Sequence, residues 1–137
     1  VVGNTGLKGR WQVIGNNPLT VCDTGHNEEG IKEIVNQILQ TPHKNLHVVF
    51  GMVNDKNPES ILKLFPRNAY FYFTKADIPR ALDEKILQKQ GNKMGFLGRS
   101  FHVVKKALAA ARSNAGKNDL IFIGGSTFVV AEIISPD

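Results

Sequence analysis

The spacing of hydrophobic residues changes along the chain, and the changes predict its elements. Residues 11–14 and 19–23 are short apolar runs joined by "GNNPL", whose Gly, Asn and Pro residues favour a turn. This arrangement predicts a hairpin of two antiparallel strands. Residues 46–52 form a nearly continuous apolar run, which is typical of a strand covered on both faces, and 119–125 is likewise predicted as a buried strand. Residues 69–74 are predicted as a strand because the segment is aromatic and short.

Helical spacing alternates with these strands. After Asn27, a suitable N-cap, the apolar residues Ile31, Ile34 and Ile38 recur at helical intervals. Further helices are predicted with signals at their ends: Asn57 and Pro58 opening 57–65, Gly91 closing 78–91, Ser100 and Gly116 bounding 100–116, and two glycines before 126–134.

The order of these elements predicts the fold class. Two strands followed by α/β alternation indicate a Rossmann-like, three-layer α/β domain. Its open sheet is mostly parallel with an antiparallel N-terminal hairpin strand, and helices cover both faces. In such sheets ligands bind beyond the carboxyl ends of the strands. The loops of interest are therefore 23–28, 51–57, 74–80 and 124–127.

Composition restricts the function further. A chain of 137 residues with 42% hydrophobic and 21% charged residues is expected to form one soluble domain. No apolar run approaches the roughly 20 residues needed to span a membrane, and no signal peptide is recognisable. The single Cys22 cannot form an internal disulfide, which favours a reducing, cytoplasmic setting.

The positive charge is dispersed rather than clustered. A formal charge of +5 could suit nucleic acid or small anions. However, the 17 Lys and Arg residues form no block and do not interleave with aromatic residues. We therefore expect neither a nucleic-acid partner nor a membrane partner, and a solvated surface or small anionic ligands remain.

The first loop, "DTGHN", combines residue types that suit a nucleotide. Asp23 can accept from a ribose hydroxyl, and Gly25 permits a close backbone approach. His26 can donate to a phosphate or carboxylate beside a helix N-terminus, which favours anions. Alternatively, Asp23 and Asn27 only turn and cap the chain, and His26 is exposed.

The other loops allow the same two interpretations. Lys56, next to Asp55, could pair with a substrate carboxylate or with a carbamylated or phosphorylated group, or the two residues could form an exposed turn. Arg80 could contact an anion or be a surface arginine. Ser126, after two glycines, could hold a carboxylate through its hydroxyl and backbone N–H, or be a plain N-cap. Arg10, just before the first strand, suits a phosphate or a purine face.

Several catalytic motifs are missing from the chain. It contains no GxxxxGK[ST], GxGxxG or GxSxG sequence. The four histidines lack metal-ligand spacing, so no metal site is expected. The residues therefore predict anion-friendly loops at one sheet edge without a self-sufficient catalytic centre.

Five segments together carry a family resemblance. They are "GRWQVI", "VCDTGHNEEG", "VVFGMVNDKNP", "IPRA" and "DLIFIGGSTFVVAE". Their order and approximate spacing resemble the carboxy-terminal domain of folylpolyglutamate synthase/dihydrofolate synthase, within the Mur ligase family. The likeness extends from about Thr5 to Ile134. The family usually has DGAHN where this chain has DTGHN, so the glycine is displaced by one position.

The resemblance implies an ATP-dependent ligase. Such an enzyme joins L-glutamate to a folate or dihydropteroate carboxylate through an acyl phosphate. The family's P-loop lies in a larger amino-terminal domain, expected to hold most of the Mg²⁺ coordination, so this lobe is expected to be inactive alone. Residues 1–9 would be a linker remnant and 10–137 the domain. The alternative is a nucleotide- or phosphate-binding regulatory module without ligase activity.

The resemblance also implies roles for individual residues. Arg10, Asp23 and Asn27 are expected to contact ATP. His26 would lie near the phosphates or the incoming amino acid, and Ser126 near the glutamate carboxylate. The loop carrying Asp55 and Lys56 would help to hold the incoming amino acid, and the catalytic roles are assigned to His26 and Lys56.

Overall fold

The computed structural model describes residues 10–134, so the predicted linker 1–9 lies outside the described residues, as do residues 135–137. Its strands are β1 (Gln12–Gly15), β2 (Leu19–Cys22), β3 (Leu46–Phe50), β4 (Tyr70–Phe73), β5 (Leu97–Ser100) and β6 (Leu120–Gly124). Its helices are α1 (Glu28–Gln40), α2 (Pro58–Leu62), α3 (Glu84–Lys93), α4 (Val104–Asn114) and α5 (Thr127–Ile134).

The six strands form one sheet in the order β1-β2-β6-β3-β4-β5. Only the β1–β2 pair is antiparallel, and every other neighbouring pair is parallel. The predicted fold class, including the N-terminal hairpin, is therefore confirmed. Because β2, β3, β4 and β6 run in the same direction, the loops that follow them meet at one edge, here called the carboxyl edge.

Helices cover both faces of the sheet, which produces two hydrophobic layers. The alternation of side chains along each strand sends every second residue to the opposite face. In β6, Phe122 packs with α1, α2 and α3, whereas Ile121 and Ile123 pack with α4 and α5. Both layers are buried. All residues of β3 and β6 are therefore buried as well, which explains the nearly continuous apolar sequence of these two strands.

The predicted helix 78–91 begins later in the structure. Residues 80–82 extend beside 52–54 instead, because Asn54 N–H donates to Arg80 O and Leu82 N–H to Met52 O. Asp83 then caps α3 by accepting from Lys85 N–H. Gly91, predicted to end the helix, lies within it. Close packing requires a glycine there, because a Cβ would be 2.4 Å from the Phe73 ring.

The segment around Ser100 was predicted wrongly. Residues 97–100 form β5, and Ser100 pairs with Phe73 rather than capping a helix. The helix begins at Val104, after Val103, which makes no side-chain cap. β5 consists of Leu97, Gly98, Arg99 and Ser100, so it lacks the apolar run that marks the other parallel strands. The predicted helix 57–65 is also shorter, ending at Leu62.

Glycines allow the loops at the carboxyl edge to approach one another. Gly125 has a φ of +102°, and a Cβ there would lie 2.2 Å from the carbonyl oxygen of Gly51. Gly51 in turn packs against the backbone of Thr74, 2.8 Å from its hypothetical Cβ. The tips of β6, β3 and β4 therefore sit closer together than any residue with a side chain would permit.

Candidate active site at the carboxyl edge

Residues from four loops enclose a cavity of about 310 Å³ beyond the carboxyl ends of the strands. We call it the carboxyl-edge cavity, and its lining consists of His26, Val53, Asp55, Lys56, Arg80, Ser126, Thr127 and Phe128. Its volume lies at the lower end of the range of small-molecule sites, which begins at about 300 Å³.

Ser126 lies at the floor of this cavity and caps α5. Its hydroxyl oxygen accepts from Phe128 N–H at 3.0 Å and from Val129 N–H at 3.2 Å. Two accepted bonds occupy both lone pairs, so the hydroxyl hydrogen remains available for donation. Ser126 can therefore donate to an anionic ligand but cannot accept from an ammonium group in the same state.

Two neighbouring loops fix the position of Arg80. Its carbonyl oxygen accepts from Asn54 N–H at 2.7 Å, which ties the loop after β4 to the loop after β3. The guanidinium carbon lies 5.7 Å from the centroid of the Phe128 ring. A cation over an aromatic face is held by electrostatic attraction. Arg80 thus has a defined location in the cavity.

The cavity has a positive lining. Lys56 and Arg80 form no ion pair within residues 10–134, although Asp55 lines the same cavity. Two cations without an ion pair in that range, together with a serine donor, favour a ligand that carries carboxylate or phosphate groups.

His26 is exposed and points one ring nitrogen towards its own loop. Its Nδ1 lies 3.3 Å from the carbonyl oxygen of Thr24, which can only accept, so Nδ1 carries the hydrogen of this bond. Nε2 is then the atom free to accept a proton. Asn27, by contrast, caps α1, because its side-chain oxygen accepts from Gly30 N–H at 2.7 Å.

Arg10 and Asp23 lie in a separate, smaller depression, the α1 groove. It has a volume of about 130 Å³ and is lined by Arg10, Trp11, Asp23, Gly30, Glu33, Ile34 and Gln37. The buried Asp23 carboxylate accepts from Trp11 N–H and from Gly25 N–H, each at 2.8 Å. The first of these bonds holds Trp11 in a left-handed conformation, with φ of 43°.

The structure therefore separates the predicted site residues into two groups. His26, Asp55, Lys56 and Ser126 line the carboxyl-edge cavity, whereas Arg10 and Asp23 line the α1 groove. Asn27 lines neither, and its cap agrees with the structural alternative raised for this loop.

Sequence reasoning missed the apolar wall formed by Val53 and Phe128. A large aromatic residue in the first turn of α5, two positions after Ser126, is the signal that could have identified Phe128.

Neither a metal centre nor a cysteine nucleophile is formed by these residues. Across residues 10–134, no group of three or more His, Cys, Asp or Glu side chains is placed to hold a metal ion. Cys22 is buried next to Asp23, and burial followed by that negative charge raises the pKa of its thiol to about 11. The thiolate is the reactive form, so Cys22 is inert near neutral pH.

A second polar cluster lies at the opposite, amino edge of the sheet, and we call it the amino-edge network: His47, Tyr72, Asn114 and Asp119. His47 Nε2 lies 2.9 Å from Asp119 Oδ2, and its Nδ1 lies 2.9 Å from the Tyr72 hydroxyl. Asn114 donates to that hydroxyl at 3.2 Å. When the ring is neutral, Nε2–H donates to the carboxylate and Tyr72 O–H donates to Nδ1, so each partner is matched.

The carboxylate of this network is held by backbone groups as well. Asp119 accepts from Asn45 N–H at 3.1 Å and from Gly116 N–H at 2.9 Å. Burial would raise the pKa of Asp119, but the bonds from Gly116, His47 and Asn45 together lower it below its ordinary value. Burial raises the pKa of Tyr72, which keeps its hydroxyl protonated.

None of the helices among residues 10–134 is both long and apolar enough to cross a membrane.

Residues 9–127 match the family model described as "Mur ligase, glutamate ligase domain". Over 130 residues the chain is 31% identical to a probable bifunctional folylpolyglutamate synthase/dihydropteroate synthase of Haloferax volcanii, covering 94% of this chain and 16% of the relative. Over 132 residues it is 30% identical to a dihydrofolate synthase/folylpolyglutamate synthase of Escherichia coli, covering 93% of this chain and 30% of that protein.

A solved structure of the same kind of enzyme also resembles this chain in its fold. The crystal structure of a bifunctional folylpolyglutamate synthase/dihydrofolate synthase from Yersinia pestis, complexed with AMPPNP and manganese, superposes with a TM-score of 0.84 at 26% identity. The match covers 94% of this chain and 31% of that one, so the chain spans less than a third of the proteins that it resembles. Because the family model matches residues 9–127, which is most of the chain, the chain belongs to the glutamate ligase domain family of the Mur ligases.

Proposed function

We propose that this chain is one lobe of an ATP-dependent ligase that adds L-glutamate to a folate or dihydropteroate carboxylate through an acyl phosphate. The observation that carries the proposal is the carboxyl-edge cavity, where Lys56, Arg80 and Ser126 converge in a member of a glutamate ligase domain family. The choice of a folate-type acceptor rests on the names of the relatives, which include folylpolyglutamate synthase and dihydrofolate synthase.

The proposed reaction has two steps. A carboxylate oxygen of the acceptor attacks the γ-phosphorus of ATP, the bond to the β-phosphate oxygen breaks, and ADP leaves. The amine nitrogen of glutamate then attacks the acyl carbon, loses a proton and expels phosphate. Charge accumulates on oxygen in both steps, so fixed positive groups and hydrogen-bond donors stabilise the transition states.

Ser126, Lys56 and Arg80 are proposed to hold the incoming glutamate. The Ser126 hydroxyl has only its hydrogen left to offer, which suits a carboxylate and excludes the ammonium group. Lys56 and Arg80, unpaired within the described residues, offer a second anchor for carboxylate or phosphoryl oxygens. The neighbouring Asp55 is proposed to orient the ammonium group.

His26 is proposed to assist the proton transfer, and Lys56 to stabilise the acyl phosphate. The bond from Nδ1 to Thr24 leaves Nε2 of His26 as an acceptor for the proton that the amine loses. A lysine ammonium near the acyl phosphate would neutralise the negative charge of the departing phosphate.

The α1 groove is proposed to receive part of the nucleotide. Arg10 would contact the phosphates or the base, and Asp23 the ribose, while Asn27 would act through its cap by fixing the start of α1. The described residues do not form a metal site of their own, so we derive no step from Mg²⁺ on this lobe. The divalent ion would belong to the P-loop domain that we propose as the other half of the enzyme.

We propose that a partner domain completes the carboxyl-edge cavity. It lies open at the sheet edge and has no phosphate-binding loop of its own. A P-loop domain of the same polypeptide would close over it and exclude water, which would otherwise hydrolyse the acyl phosphate.

The test compares this chain alone with the complete polypeptide that contains it. ADP release and glutamate incorporation are measured with dihydropteroate or a reduced folate, ATP and L-glutamate. We expect turnover by the complete polypeptide only. Nucleotide binding without glutamate incorporation, in the complete polypeptide, would favour a regulatory module instead, and turnover by the chain alone would contradict the two-domain account.

A further inference from the structure

Arg10 is held between two carboxylates in the α1 groove. Its Nε lies 3.6 Å from Asp23 Oδ1, and its Nη2 lies 3.6 Å from Glu33 Oε1. The two carboxylates differ in their surroundings. The Asp23 side chain is 7% exposed and is fixed by backbone donors, whereas that of Glu33 is 67% exposed.

Glu33 differs from the other residues on the face of α1 that lines this groove. That face consists of four residues at helical spacing: Gly30, Glu33, Ile34 and Gln37. Of these four, only Glu33 is charged. Ile34 is buried in the core, so the helix itself is anchored and cannot withdraw from the groove.

The groove is too small for a nucleoside while Arg10 occupies this position. Its volume of about 130 Å³ compares with the 300 Å³ or so at which small-molecule sites begin. Asp23 and Ile34 are buried and held by hydrogen bonds or packing. The side chain of Arg10 is half exposed, so it is the part of the lining that can move.

We propose that Glu33 is a positioning residue that keeps Arg10 in this closed arrangement and competes with the nucleotide phosphates for its guanidinium group. The inference rests on the proposed function, in which Arg10 contacts ATP. When the nucleotide arrives, the Glu33 carboxylate is displaced and Arg10 turns to the ligand.

Solvent exposure of the Arg10 and Glu33 side chains limits how strongly Glu33 can compete with the nucleotide. An ion pair open to solvent contributes little, typically less than about 1 kcal/mol, which corresponds to less than about fivefold in affinity. Glu33 therefore tunes nucleotide binding rather than preventing it.

The experiment replaces Glu33 in the complete polypeptide. Glu33→Gln is expected to lower the KM for ATP and the Kd for AMPPNP by about two- to fivefold, with kcat unchanged. The matched control is Glu29→Gln, which removes the same charge from the same helix one turn earlier, outside the groove. This control should change neither value.

A double-mutant cycle with Arg10→Ala separates the competition from a general charge effect. The gain from Glu33→Gln should vanish when Arg10 is absent. The same gain without Arg10, or no gain with it, overturns the inference while leaving the proposed function intact. If Arg10→Ala alone leaves AMPPNP binding unchanged, the proposed nucleotide contact fails, and the inference fails with it.

Discussion

Both edges of the sheet carry polar side chains, but within the described residues these side chains are paired at one edge and unpaired at the other. At the amino edge, the polar atoms of His47, Tyr72 and Asp119 bind one another at 2.9 Å. At the carboxyl edge, Lys56 and Arg80 face a cavity without an ion pair in the described part of the chain. A polar group already matched within the fold stabilises it, whereas a group left with free capacity is available to a ligand.

This difference between the edges suggests that residues at the amino edge stabilise the fold and residues at the carboxyl edge serve the function. β3 begins near His47 and ends at the loop carrying Asp55 and Lys56, so one strand contributes to both edges. The amino edge should respond to substitution mainly in folding, and the carboxyl edge mainly in catalysis. Substitutions at each edge and in the α1 groove test this division.

The largest effect is expected from Asp119→Ala at the amino edge. The change leaves His47 and two backbone N–H groups without their acceptor, and we expect a loss of about 3 kcal/mol in the free energy of unfolding. Urea denaturation of this chain measures it. The control is Asp55→Ala at the carboxyl edge, which should stay within about 0.5 kcal/mol of the unmodified chain because Asp55 is exposed. Equal losses at the two positions would remove the division.

The next effect concerns the α1 groove. Arg10→Ala in the complete polypeptide is expected to lower kcat/KM for ATP by about 10- to 100-fold, because the charged contact that we propose with the nucleotide would be lost. Steady-state kinetics at saturating glutamate measures it. Asp23→Ala should lower kcat/KM by a similar factor, but with a loss of stability as well, because it also releases Trp11 and Gly25. An Arg10→Ala variant with unchanged kinetics would withdraw the assignment of this groove to ATP.

Ser126 is expected to contribute both to stability and to function, so it should not follow the division between the two edges. It caps α5 and also faces the carboxyl-edge cavity, so Ser126→Ala is expected to cost about 1 kcal/mol of stability and to raise the KM for glutamate about tenfold. Thermal unfolding and glutamate kinetics measure the two effects.

Ser126→Asp distinguishes the two roles of this residue. A carboxylate restores the cap but repels an anionic ligand, so stability should recover while the KM for glutamate stays high. Recovery of both would show that Ser126 acts on the reaction only through the helix.

The fold could be predicted from sequence where local signals and burial agree. Asn27, Pro58 and the apolar runs of β3 and β6 each indicated an element that the structure contains. The prediction failed at β5, where the strand is at the sheet edge and its Gly98 fits beneath Phe71 and Phe73. That requirement comes from tertiary packing, which leaves no periodic signal in the sequence.

The candidate site was predictable in part for a similar reason. Parallel strands bring their following loops to one edge, so the order of strands and helices is enough to expect that His26, Lys56 and Ser126 meet there. The placement of Arg10 in a separate groove could not be predicted, because it depends on how Trp11 bonds to Asp23. The amino-edge network also escaped prediction, since His47 and Asp119 are 72 positions apart in sequence.

The smallest effect is a dependence of stability on pH that comes from Asp119 at the amino edge. The pKa of Asp119 is lower in the folded state than its ordinary value of 3.8, because the hydrogen bonds from Gly116, His47 and Asn45 outweigh the effect of burial. A depressed folded pKa contributes stability that is complete above the unfolded value and is lost as the pH falls through the folded one. The difference in unfolding free energy between the unmodified chain and Asp119→Ala should therefore shrink as the pH falls below about 4. Urea titrations across this range measure it, and a difference that persists unchanged at low pH would mean that packing, rather than the ionised carboxylate, is what the amino edge supplies.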